Sequence, residues 1–178
     1  MIILEAMDMK KLMVLILTIF ALFCFSAASF GLNSPGIAEG DGVITGMAAT
    51  DDLGLITGFE YGISPKFAVL GNISLGDNDF TKLAVKYHVS KTGSIVGGVY
   101  DSYSSSDPFV GFNGSLNLDR KISGILEADV VMNDDLYVVY EIGLIYDLEK
   151  TIDIRAGFLG STHKNSDTAF ELGVGYKF

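Results

Sequence analysis

The chain has 178 residues, enough for one domain, and a formal charge of -10 that leaves no basic footprint for a nucleic-acid partner. It is 49% hydrophobic yet 19% charged, with 21 glycines and only 3 prolines. A helical membrane protein would need an unbroken run of about 20 apolar residues, and only the N-terminus comes near that.

That N-terminal run has the layout of an export signal. Lys10 and Lys11 form a positive start, Leu12 to Phe25 make a 14-residue apolar stretch, and Ser26-Ala27-Ala28 offers small residues for cleavage. Residues 1–28 are therefore predicted to be a signal peptide, with Met9 as its natural start. An uncleaved anchor is disfavoured because the run is shorter than a spanning helix. Cys24 leaves with the signal and lacks the small residues that precede a lipidated cysteine, so the exported chain has no thiol and no disulfide. Cleavage removes Lys10, Lys11, Glu5 and Asp8 together and leaves the charge unchanged.

Residues 29–39 contain Gly, Ser and Pro without periodicity and are predicted to be a flexible lead. From residue 40 to 178 the pattern is period two, the mark of half-buried strands. After a weaker first strand around Val43 to Ala49, Leu53, Leu55, Thr57, Phe59 and Tyr61 oppose Gly54, Ile56, Gly58, Glu60 and Gly62. Phe67, Val69, Gly71, Ile73 and Leu75 then oppose Ala68, Leu70, Asn72 and Ser74. Thr81, Leu83, Val85, Tyr87 and Val89 oppose Lys82, Ala84, Lys86 and His88. Ser94 to Tyr103 is ambiguous, since both of its faces are apolar or glycine. Val110, Phe112, Leu116 and Leu118 oppose Gly111, Asn113, Ser115 and Asn117. The last segments place Glu127, Asp129, Glu141, Asp153, Arg155, Glu171 and Lys177 opposite runs of Leu, Val, Ile, Phe and Tyr. The count is ten strands, or eight if the first hairpin stands apart.

Alternation alone does not say which face meets water. In a soluble sandwich or lipocalin-like barrel the apolar face points inward. Here the polar face is rich in Gly, Ser and Asn. Its charges are of both signs: Glu60, Glu127, Asp129, Glu141, Asp153 and Glu171 against Lys82, Lys86, Arg155 and Lys177. Such a set can neutralise itself in a narrow lumen. Tyr61, Phe67, Tyr87, Tyr146 and Tyr176 lie on the apolar face beside short turns, where an aromatic girdle would sit. Segments of nine to eleven residues, tilted, also suffice to cross a bilayer. The fold class read from these features is all-β: a closed antiparallel up-and-down transmembrane β-barrel.

The connections fall into two sets. Short turns at Gly62–Pro65, Ser90–Gly93, Asp119–Lys121 and Asp147–Lys150 carry or adjoin Lys66, Lys91, Lys121 and Lys150, spaced 25, 30 and 29 residues apart. The alternate connections include the two longest, at residues 102–108 and 160–167. Membrane barrels keep short turns on the periplasmic side and long loops outside, which orients the chain.

The ending Phe170-x-Leu172-x-Val174-x-Tyr176-x-Phe178 resembles the C-terminal assembly signal of bacterial outer-membrane β-barrel proteins. The turn texts from Tyr61 to Lys66 and from Leu118 to Lys121 are similar to periplasmic turns of small members of that superfamily. The resemblance implies Sec export, escort by periplasmic chaperones, insertion by the barrel-assembly machinery and contact with outer-membrane lipid. It brings no catalytic residue.

The chemistry is sparse. His88 lies beside Ser90, and His163 lies among Ser161, Ser166 and Asp167, but a hydrolase needs these aligned and turn residues are the plainer account. Asp77-Asn78-Asp79 is ordinary turn composition, and no metal or cofactor motif is present. Glu127, Glu141 and Arg155 fall mid-strand on three successive strands, which predicts an ion-pair cluster with Arg155 near Glu141 or Glu171. The functional expectation is a small, non-catalytic outer-membrane barrel with a largely plugged, charge-paired interior. It would act in envelope structure or through surface contacts at loops 102–108 and 160–167. A narrow solute channel is the alternative, and a lipid-active enzyme a distant third.

Overall fold

The computed structural model describes residues 32–34, 36–50, 54–76, 80–102, 105–163 and 168–178. The predicted signal peptide with Met9 and Cys24, Leu53, the Asp77–Asp79 turn, and Ser166 and Asp167 lie outside them. Ten strands run through the described residues: β1 (Gly42–Ala49), β2 (Leu55–Ser64), β3 (Phe67–Leu75), β4 (Phe80–Ser90), β5 (Gly93–Ser102), β6 (Ser105–Asn117), β7 (Ile122–Val131), β8 (Tyr137–Asp147), β9 (Ile152–Ser161) and β10 (Ala169–Lys177). Each pairs antiparallel with its sequence neighbours. β1 also pairs with β10, from Val43↔Lys177 to Ala49↔Glu171, so the sheet closes on itself without an edge. The first hairpin is part of the ring, which removes the eight-strand alternative.

The barrel is inside out relative to a soluble one. Ile44, Phe59, Leu83, Phe112, Ile142, Phe158 and Phe170 are exposed on its outer wall, while Glu60, Lys86, Glu127, Asp153, Arg155 and Glu171 are buried within. A side-chain period of two makes this partition all-or-none for each strand, because a slip of one residue would send every charge outward. The phase of β5 is settled as well: Ser94, Val96 and Tyr100 are buried, while Ile95, Val99 and Asp101 face out.

The short turns come in two designs. Ser64 and Ser90 each follow a register irregularity, and each hydroxyl accepts hydrogen bonds from the turn it starts: from Lys66 and Phe67 at 3.3 and 3.1 Å, and from Thr92 at 3.2 Å. The other two share a backbone clasp. Leu118 and Asp119 both donate to the Ile122 carbonyl (2.9 and 3.1 Å), as Leu148 and Glu149 do to that of Ile152 (3.1 and 3.0 Å).

At the opposite end, the loop expected at residues 102–108 is much smaller. Ser105 to Pro108 belong to β6 and pair with Val99 to Ser102, leaving only residues 103 and 104 between the strands. Proline fits this position because its carbonyl, which accepts from Met132 at 2.8 Å, and its nitrogen face the same side, where β7 has already ended at Val131 and asks for no donor. The connection after β9 remains longer, running from residue 162 to residue 168.

Residues 32–34 and 36–41 of the N-terminal segment have defined contacts with the barrel and with one another. Ala38 to Asp41 make a turn closed by Asp41 donating to the Ala38 carbonyl (3.1 Å), with Gly40 at φ +83°, a conformation that favours glycine. Ahead of that turn, Leu32, Asn33 and Ser34 lie inside the barrel.

Candidate functional site in the barrel lumen

The lumen is built in layers, starting from the polar phase of each strand. Leu70, Val96, Tyr100, Phe109 and Val131 form an apolar cluster with Phe80, Tyr137 and Val139. Tyr100 and Phe109 stack at 4.7 Å between ring centroids. Of these aromatics only Tyr100 had no phase in the sequence pattern, since β5 is apolar on both faces.

Beside this cluster, Lys82 reaches from β4 to β7. Its Nζ lies 2.5 Å from Asp129 Oδ2 and also bonds Glu127 Oε1, with the Phe109 ring centroid 4.9 Å away. Gly111 gives the carboxylate room: a Cβ there would collide with Asp129. Tyr100 donates to Asp129 at 2.8 Å, and Asn113 donates to Glu127 at 2.7 Å. All three charged groups are essentially sealed from solvent, so their attraction must offset a large desolvation cost. A second pair, Lys86 with Glu60 at 2.9 Å, passes over Ala68 of β3, whose methyl leaves the path open.

Arg155 does not join Glu141 or Glu171 as the sequence predicted. Its Nε donates to Asp153 Oδ1 at 2.6 Å and its Nη2 to Oδ2 at 3.0 Å. Register explains the difference. Arg155 is opposite Gly173 and Glu171 is opposite Gly157, so they stand two residues apart along the barrel wall, with Arg155 nearer the short turns. Lys177 sits at the mouth, 2.5 Å from Asp147 and 3.2 Å from Asp153, with its side chain 37% exposed.

The N-terminal segment fills the space between these groups. Arg155 Nη1 donates to the Leu32 carbonyl, Asn113 to that of Asn33 (3.0 Å) and Lys86 to that of Ser34 (2.7 Å). Three consecutive carbonyls are thus held by side chains of β9, β6 and β4. The Leu32 side chain packs with Met47, Ile125 and Ile145, and no part of it meets solvent. The cavity left at the Lys82 layer measures about 10 Å³, room for about one water.

On the outer wall, the five residues of the predicted girdle, Tyr61, Phe67, Tyr87, Tyr146 and Tyr176, are all exposed near the short-turn end. Phe67 and Tyr87 contact at 5.3 Å and Lys121 covers the Tyr146 ring at 5.8 Å. Phe170, Leu172, Tyr176 and Phe178 of the terminal pattern face outward, and Val174 is half-buried on the same wall.

Comparison with known proteins adds likeness of fold only. Among solved structures, the chain is similar to the N-terminal β-barrel domain of OprF from Pseudomonas aeruginosa, at 12% identity over 80% of this chain and 100% of that one (TM-score 0.42). It is likewise similar to the KdgM porin, at 12% identity over 78% and 99% (TM-score 0.46), and to a de novo designed transmembrane β-barrel, at 12% over 80% and 99% (TM-score 0.43). No family model matches the chain. No curated protein matches it either.

Among the described residues the two histidines lie at opposite ends of the barrel. His88 Nδ1 meets Ser94 Oγ at 2.9 Å across the β4–β5 register, and Ser94 is fully buried. His163 packs edge-on against Tyr137 at 5.0 Å, in the connection at the opposite end. Among the described residues, no group of histidine, cysteine and carboxylate side chains has the arrangement of a metal site.

Proposed function

We propose that this protein is a small, non-catalytic barrel of the bacterial outer membrane whose lumen is closed, acting in envelope structure or through its surface loops. The observation that carries the reading is the pairing of an exposed apolar wall with a buried, ion-paired interior. An apolar band over the whole outer face is unfavourable in water and favourable in hydrocarbon, where backbone groups must all be paired and a closed barrel pairs them. The girdle residues and Lys121 then lie at the lipid interface on the periplasmic side, and the connection after β9 faces outward. Export would use the N-terminal signal, and assembly would begin from the terminal strand.

The closed lumen is supported by the Lys82 layer, the apolar cluster around it and the segment Leu32–Ser34 on the short-turn side. Planar-bilayer recording of the purified protein tests this part: the expected result is no steady conductance step, and regular steps would replace it with the narrow-channel reading. Location is tested by fractionation with heat-modifiable migration, where recovery as a soluble periplasmic protein would remove the membrane assignment. For the surface role, deleting residues 162–168 is expected to leave the barrel folded while abolishing binding to its partner.

A further inference from the structure

Residues 32–34 sit in the lumen as a bound ligand would, held by groups that have other partners. Lys86, Asn113 and Arg155 donate to the carbonyls of Ser34, Asn33 and Leu32, and all three lie on the short-turn half of their strands. Each also donates to a carboxylate of the wall: Lys86 to Glu60 at 2.9 Å, Asn113 to Glu127 at 2.7 Å and Arg155 to Asp153 at 2.6 Å. Withdrawing the segment would leave both cations paired with an acid, so the large penalty for an uncompensated buried charge does not hold it in place. The ring of strands does not depend on the segment either. None of the described residues from 32 to 38 belongs to a strand, and closure runs through the β1–β10 pairs.

What the lumen reads in the segment is its backbone and one side chain. The side chains that bond it do so at its main chain, three at the carbonyls and Met47 Sδ at the Leu32 amide, 3.4 Å away. The Asn33 side-chain nitrogen, by contrast, is buried with no acceptor among the described residues. Leu32 is the anchor. Its side chain is sealed among Met47, Ile125 and Ile145, and its Cδ1 comes so near Gly143 that a Cβ there would lie 2.7 Å away. The way out is roomy: Gly36, Ile37 and Ala38 line two cavities at the short-turn mouth, of about 450 and 540 Å³, one with Lys150 and Lys177 and the other with Lys66 and Lys91. Beyond them the turn pins the chain to β2, with Gly40 donating to the Gly62 carbonyl at 2.9 Å and Gly62 to that of Asp41 at 3.0 Å. A withdrawn segment would stay tethered at the mouth.

We infer that the short-turn half of the lumen is a binding site for an extended polypeptide, and that residues 32–34 are its resident ligand, exchangeable for a segment of another chain. The partner it fits is a peptide with a leucine-sized apolar residue at the deep position and no requirement on the next side chain. The tether gives the chain's own segment an effective concentration on the order of millimolar, so a free peptide competes only when the resident is weakened or the rival is abundant. The inference adds a contact site at the end opposite the surface loops, and it rests on the reading of a barrel with a filled lumen.

The test uses the whole protein in detergent micelles, where both mouths are accessible, and the N-acetylated peptide of residues 32–41 with a fluorophore at its C-terminal end. Leu32→Asp in the protein places a charge in the apolar seat and is expected to eject the resident segment while the barrel keeps its heat-modifiable migration. Fluorescence anisotropy is then expected to show saturable binding to Leu32→Asp, at least about 10-fold tighter than to the native protein. In the peptide, Leu32→Ala is expected to weaken binding at least about 30-fold and Asn33→Ala less than about 3-fold. No binding to folded Leu32→Asp, equal binding to both proteins, or equal losses from the two peptide changes overturns the inference and leaves the membrane-barrel reading standing. If Leu32→Asp fails to fold, it is refolded with unlabelled peptide present: recovery of folding supports the site, and failure overturns it. Regular conductance steps from the native protein would remove the filled-lumen reading and this inference with it.

Discussion

Lys82 shows how much one buried cation can organise. It answers Glu127 and Asp129 at once, in a position closed to water. Lys82→Met leaves both acids buried without a counter-charge, and the expected loss is about 3–5 kcal/mol. Lys177 also bridges two carboxylates, but with its side chain partly in solvent, so Lys177→Ala is expected to cost under about 1 kcal/mol. Urea titration of vesicle-inserted protein, read by heat-modifiable migration, measures both; equal losses would mean that burial does not set the strength of these pairs. Leu32→Ala creates a hole among Met47, Ile125 and Ile145, and the same assay should register a loss of about 2–5 kcal/mol. A loss below 0.5 kcal/mol, on the order of a surface change, would show that the segment does not occupy the lumen in solution.

At the level of elements, the seam between β1 and β10 carries the closure of the ring. Gly42 and Phe178 exchange backbone hydrogen bonds of 2.8 and 3.0 Å, and the Phe178 ring covers the place where a Cβ of residue 42 would project. Phe178→Ala is therefore expected to slow insertion into vesicles and lower the folded yield while leaving the unfolding midpoint of the folded fraction close to native. An unchanged rate with a lowered midpoint would make Phe178 a packing residue and not an assembly residue. The strands themselves were readable because one wall is apolar throughout: Phe59 and Tyr61 against Glu60, or Phe170 and Leu172 against Glu171, admit one phase. β5 was not, since Val96 and Tyr100 face in while Ile95 and Val99 face out. The ion pairs were readable as a set but not as partners. Lys82 meets residues 45 and 47 positions away, and the Arg155 pairing turns on a two-residue offset in register. Leu32 to Ser34 carry no period at all, and their partners lie 123, 80 and 52 residues away.

The whole molecule is polarised along its axis. At the short-turn end Lys66, Lys91, Arg120, Lys121, Lys150 and Lys177 are nearly balanced by Glu39, Asp41, Asp119, Asp147 and Glu149, whereas Asp101, Asp107, Asp134 and Asp135 at the other end have no such balance among the described residues. In the proposed orientation the cations meet the phosphates of the inner leaflet, and the aspartates face the exterior. Insertion into vesicles containing anionic phospholipid is expected to be faster than into neutral ones, with the difference shrinking as salt rises. No dependence on lipid charge would mean that the lysine-bearing turns serve the chain and not the membrane.

A barrel that encloses Leu32 and pairs Phe178 with Gly42 uses the chain on both flanks of its ring of strands. A purification tag ahead of Leu32 would have to be threaded into a filled interior, and one after Phe178 would load the seam that closes the sheet. The place to put an epitope, a fluorophore or a binding peptide is the 162–168 connection, where the chain leaves the wall on the side opposite both ends.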